Sequence, residues 1–114
     1  MAIKILSVDD EQDLEALLTQ YFRRKIRKGE YEFSFAHNGL EALRMMLDHP
    51  DFDIILSDIN MPEMDGYEVA ERIRAIDPKV LIFFLTDRTE KNDRLKGFSL
   101  KANDYLAKPF YPEE

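Results

Sequence analysis

Apolar and polar positions along the chain follow two alternating rhythms. Ile3 to Val8 is a short apolar run of the kind a buried parallel strand shows. Leu14, Leu17, Leu18, Tyr21, Phe22 and Ile26 then recur at helical steps, which predicts one amphipathic helix over about 13–28. Gly29 follows where a helix stop is expected. Tyr31, Phe33 and Phe35 alternate with Glu32, Ser34 and Ala36, which is strand spacing. Asn38 and Glu41 have the spacing of a helix cap with its reciprocal acid. Leu40, Leu43 and Leu47 carry that second helix to Pro50. Phe52 to Ser57 reads as a strand ending at Asp58, and Ile59 to Gly66 as a loop. Tyr67 to about Ile76 is a helix capped by Asp65. Val80 to Leu85 is the most apolar strand, Glu90 to about Leu100 a weaker helix, and Asp104 to Ala107 a fifth strand. This alternation predicts an α/β fold: a doubly wound, five-stranded parallel sheet with helices on both faces.

A chain of 114 residues with 45% apolar content suits one domain with a real core. There is no Cys, so neither a disulfide nor a thiolate metal site is available, which fits a reducing compartment. No apolar run approaches the roughly 20 residues of a membrane helix. The start runs straight into a strand without the pattern of a signal peptide. A soluble, cytoplasmic protein with no membrane association is the expectation. The formal net charge of −7 argues against direct nucleic-acid binding by this domain. The one basic concentration, Arg23, Arg24, Lys25, Arg27 and Lys28, reads as a solvated helix end.

Parallel sheets bind ligands beyond the carboxyl ends of their strands. Asp9-Asp10-Glu11 follow the first strand, Asp58 the third, Thr86 the fourth and Lys108-Pro109 the fifth. Each has an ordinary structural reading. The first acids complement a helix dipole, Thr86 is a β-branched strand residue, and Lys108-Pro109 is a turn. Taken together they form a chemical set. Clustered carboxylates repel one another and call for a hard cation such as Mg2+, which takes oxygen ligands and keeps several waters. A carboxylate beside such a cation can act as a nucleophile toward phosphorus. An ammonium group and a hydroxyl suit the oxygens of a transferring phosphoryl group. His37 and His49 have no catalytic partner in sequence and receive no role.

Four segments resemble the receiver domains of two-component response regulators. They are Ser7-Val8-Asp9-Asp10-Glu11, Ser57 to Gly66 (SDINMPEMDG), Phe84-Leu85-Thr86 and Ala102 to Phe110 (ANDYLAKPF). The resemblance covers nearly the whole chain. It implies the strand order 2-1-3-4-5, with Asp58 as phosphoacceptor. It implies Mg2+ held by Asp10, Asp58 and the backbone carbonyl of Asn60, with Asp9 in support. Lys108 is then the partner of the acceptor carboxylate and phosphate, its bond to Pro109 is cis, and Thr86 and Tyr105 are a switch pair. Such a domain is not an enzyme in the usual sense, since at most it catalyses its own phosphorylation and dephosphorylation. Its partners are a histidine kinase or phosphotransfer protein on one side and an output domain or downstream protein on the other. A pseudo-receiver that binds partners without being phosphorylated is the alternative. An aspartate-based phosphohydrolase would need an acid at Asn60, and a nucleotide-binding fold would need a glycine-rich loop that the four Gly do not form.

Two positions depart from the family pattern. Asp87 stands where a small residue usually follows the Thr, adding an acid at the mouth of the site, and Lys101 stands where Gly is usual. The family also carries a further helix after Lys-Pro-Phe, for which Tyr111 to Glu114 is too short. The expectation is a fragment of a longer protein, residues 1–114 being its receiver, or a form without the last helix. Either way one sheet face would be left open to self-association.

Overall fold

The computed structural model describes residues 2–59, 61, 63–86 and 104–107, with residues 12, 86 and 104–107 described as backbone. In chain order the elements are β1 (Ile3–Val8), α1 (Gln12–Tyr21), α2 (Arg23–Arg27), β2 (Tyr31–Ala36) and α3 (Gly39–Asp48). β3 (Ile54–Asp58), α4 (Gly66–Ile76), β4 (Leu81–Thr86) and β5 (Asp104–Ala107) follow. The expected helix over 90–100 lies outside the described residues. All strand pairs are parallel and the sheet order is β2-β1-β3-β4-β5, as expected.

Right-handed crossovers decide which face each helix covers. The step from β1 to β2 runs one way across the sheet, and the later steps run the other way. α1 and α2 therefore cover one face, α3 and α4 the other. The side chains divide accordingly. Leu6, Val8, Ala36, Ile55, Val80, Ile82 and Phe84 join Ala42, Met46, Tyr67, Val69 and Ile73 in the larger core. Ile5, Leu56 and Leu85 pack with Leu14 and Leu18 in a smaller one. Phe84 is fully buried, with the Tyr67 ring edge-on at 4.9 Å. On the smaller-core face Ile3 and Leu81 are exposed, and Ile54 and Phe83 are half-buried.

The first helical segment differs from the single helix its periodicity predicts. It breaks at Phe22, whose backbone sits at φ −101°, ψ 19°. Hydrogen bonding spans the break, with Phe22 N–H donating to Leu18 O and Ile26 N–H to Phe22 O, so the chain kinks without unwinding. There is no Pro or Gly here to cause it. The Phe22 ring accounts for the kink, because it seats 5.6 Å from Tyr31 and 5.7 Å from Phe33, and Phe33 stacks on Phe35 at 5.9 Å. The basic cluster on α2 is exposed, with Lys25 bridging to Glu30 at 3.2 Å. Gly29 ends the helix at φ +76°, a conformation that favours glycine.

α3 differs in its buried face. Leu40 and Leu47 are exposed, and Gly39, Ala42 and Met46 face the core. The cap is as expected, since Asn38 Oδ1 accepts from Glu41 N–H at 2.8 Å. The reciprocal acid acts one residue earlier than a capping box places it, because Glu41 Oε1 accepts from His37 N–H at 3.1 Å. α4 is capped by Asp65, which accepts from Glu68 N–H at 2.9 Å. Replacing Asn38 by Ala should cost about 1 kcal/mol, the usual value of an N-cap. Asn38→Asp should keep most of it, both read from urea unfolding midpoints.

Candidate functional site

β1 and β3 lie side by side at the centre of the sheet, with Val8 opposite Ser57. The residues that leave these strands are therefore neighbours at the carboxyl rim. Carboxylate oxygens of Asp9, Asp10 and Asp58 all lie within 4.8 Å of one another. Asp9 and Asp58 are buried, 5% and 4% exposed, and Asp10 opens to solvent. Two carboxylates at such a separation repel by about 3–4 kcal/mol at an effective dielectric near 20. The scaffold has to hold them there.

Several contacts do so. Asp9 N–H donates to Ala36 O at 3.0 Å, tying the end of β1 to the end of β2. Asp9 Oδ1 accepts from Glu11 N–H at 2.8 Å, a local turn that aims the side chain and starts α1. The helix-start reading of these acids thus holds for Asp9 in part, while a second role stays available to its carboxylate. Glu11 takes the N-cap position and is not one of the three clustered acids.

The loop after Asp58 is folded tightly against it. Gly66 N–H donates to Ile59 O at 2.9 Å. A Cβ on Gly66 would stand 2.1 Å from the Asp58 carbonyl oxygen, so only glycine fits. Met61 is buried and Met64 packs against the larger core. Between them Glu63 is held at φ +68°, a left-handed conformation that costs a non-glycine residue about 1 kcal/mol.

The structure thus brings together Asp9, Asp10 and Asp58 from the expected set. Thr86 ends β4, one step past the Leu85 that pairs with Asp58, and is itself opposite Ala107; Tyr105 is opposite Phe84. The side chains of Thr86 and Tyr105, and the whole of Asn60, Asp87, Lys101, Lys108 and Pro109, lie outside the described residues. His37 has a structural place that sequence did not show. Its Nε2 is 3.2 Å from Glu15 of α1, and its Nδ1 is 3.4 Å from Glu41 of α3. Only the Glu41 partner is close enough in sequence to have been found.

Comparison with known proteins now defines the class. The family model described as "Response regulator receiver domain" matches residues 5–114. The transcriptional regulatory protein SrrA of Staphylococcus aureus is 38% identical over 114 residues, all of this chain and 45% of its own length. The receiver domain of Saccharomyces cerevisiae Ssk1, solved with the histidine phosphotransfer signaling protein Ypd1, superimposes with a TM-score of 0.81 at 27% identity, covering 96% of this chain and 81% of that one. Response regulator TrrA of Thermotoga maritima, solved with Mg(2+)-BeF, gives 0.80 at 33% identity over 96% and 89%. The chain belongs to the response regulator receiver domains, the signalling switches of two-component systems. It spans about half the length of the curated relatives it matches. Among the described residues no helix is long and apolar enough to cross a membrane.

The Gly66 contact yields a direct test. Gly66→Ala would place a methyl group inside the Asp58 carbonyl, and neither backbone can yield freely. Stability should fall by about 1–3 kcal/mol, the usual cost of overpacking. Gly29→Ala, which meets nothing within 4 Å, should lose only about 1 kcal/mol from its backbone conformation. Parallel thermal melts would check the order.

Proposed function

We propose that Asp58 accepts a phosphoryl group in two-component signalling. The observation that carries this reading is the meeting of three carboxylates at the rim of a parallel sheet in a receiver-family chain. In the transfer, a carboxylate oxygen of Asp58 forms a bond to phosphorus. The bond from phosphorus to the donor breaks, and its electron pair leaves on the donor's imidazole nitrogen. The product is an aspartyl phosphate. The donor is a histidine kinase or a phosphotransfer protein. The pairing of the similar Ssk1 receiver with Ypd1 supports the second. An output domain or partner protein reads the result, and the cytoplasm is the setting.

The donor set suits Mg2+: hard oxygens only, with one exposed edge for waters. Asp10 and Asp58 would be its direct side-chain ligands, the Asn60 carbonyl a third, and Asp9 a support. Bound there, the ion supplies charge neutralisation for the acids and for the phosphoryl oxygens. In the same reading Lys108 pairs with the acceptor and then the phosphate. Thr86 follows the phosphate and Tyr105 turns inward. Self-association through the face that exposes Ile3 and Leu81 belongs to the same set of proposals.

Incubation with acetyl phosphate and Mg2+ should add one phosphoryl mass to the wild type and none to Asp58→Asn. Equal modification of both would reject Asp58, and no gain in either would favour the pseudo-receiver alternative. Asp10→Asn should weaken Mg2+ binding at least tenfold more than Glu11→Gln, because Glu11 stands outside the acid cluster. Calorimetric titration reads both, and the reverse order would displace Asp10 from the ligand set.

A further inference from the structure

Ser57 is a polar residue in an apolar layer. It is 1% exposed, and its partners in register are Val8 on β1 and Phe84 on β4, both fully buried. Ile55, two residues earlier on the same face, is apolar and fully buried. Packing alone would favour an aliphatic side chain there, since a buried hydroxyl is costly unless it is hydrogen-bonded. The Ser57 hydroxyl donates to the carbonyl of Asp58 itself, at 3.1 Å. The same oxygen is faced by Gly66, where an added Cβ would stand 2.1 Å from it. The next carbonyl, that of Ile59, is taken by Gly66 N–H. The carbonyl oxygen of the peptide that follows Asp58 is thus held by the Ser57 hydroxyl on one side and closely approached by Gly66 on the other.

We infer that Ser57 is a positioning residue for the acid site. It touches neither phosphoryl group nor cation. It fixes the peptide plane after Asp58, and with it the direction of the Asp58 carboxylate toward Asp9 and Asp10. The inference rests on the phosphoacceptor reading and adds to it a residue acting from the core side of the sheet.

The test uses Ser57→Ala, Ser57→Cys and Ser57→Thr in the full chain. Each is measured for Mg2+ affinity, rate of phosphorylation by acetyl phosphate, and melting temperature. Cys fills the space of Ser with a much weaker donor, and Thr keeps the hydroxyl. Ala and Cys should each weaken Mg2+ binding and slow phosphorylation about three- to tenfold, the scale of one hydrogen bond. Neither loss should follow the melting temperature, and Thr should retain wild-type Mg2+ affinity and phosphorylation rate even where its extra methyl group lowers the melting temperature. Wild-type behaviour of both Ala and Cys overturns the inference. So does a loss confined to Ala, which would assign the effect to packed volume. If the wild type binds Mg2+ but is never phosphorylated, the acceptor reading fails, and Ser57 is still judged by Mg2+ affinity. If the wild type does neither, both fall together.

Discussion

Three carboxylates share one small volume at the end of the sheet, and everything around them opposes their mutual repulsion. The strands that carry them are adjacent at the centre of the sheet, where both faces are packed. Val8 and Ile55 are fully buried, so the ends of β1 and β3 cannot splay without opening the core. Main-chain bonds from Asp9 to Ala36 and from Gly66 to Ile59 fasten the rim from two sides. Such a site stores unfavourable electrostatic energy in the folded state. A cation that binds only the folded chain therefore stabilises it, by mass action.

Local features were the most legible in sequence. The caps Asn38 and Asp65 depend on contacts three residues apart and appear where expected. The alternation in Tyr31 to Ala36 marked β2 to the residue. The acid cluster was also legible, because topology places strand ends together and the motifs name which ends matter. Where the reading strayed, a tertiary contact decided. Phe22 breaks a helix whose periodicity is unbroken, since its ring seats on an aromatic stripe from another element. Leu40 and Leu47 have core-like spacing, yet Ala42 and Met46 face inward. Gly39 fixes that rotation: a Cβ there would come 2.7 Å from Val69, so α3 approaches α4 through its smallest residue.

The loop after Asp58 shows the same division. Its Pro and Gly marked it as a loop, but not that Gly66 abuts the Asp58 carbonyl or that Glu63 takes a left-handed conformation. Ser57 reads in sequence as an ordinary strand position. Only the structure shows that its hydroxyl is spent on the residue that follows.

Among the described residues the two hydrophobic layers are unequal, and this has a dynamic consequence. Among the described residues the layer under α3 and α4 is a broad set of fully buried side chains, while α1 rests chiefly on Leu14 and Leu18. Regions with few buried contacts open at lower free energy than the rest of a fold. Amide protons of α1 and α2 should therefore exchange with solvent well before those of β3 and α4. Among the described residues the larger core thus forms a firm slab, and α1 and α2 a looser cover. Since Asp9 and Asp10 lead directly into that cover, loosening it relaxes one side of the acid site and leaves Asp58 anchored on the other.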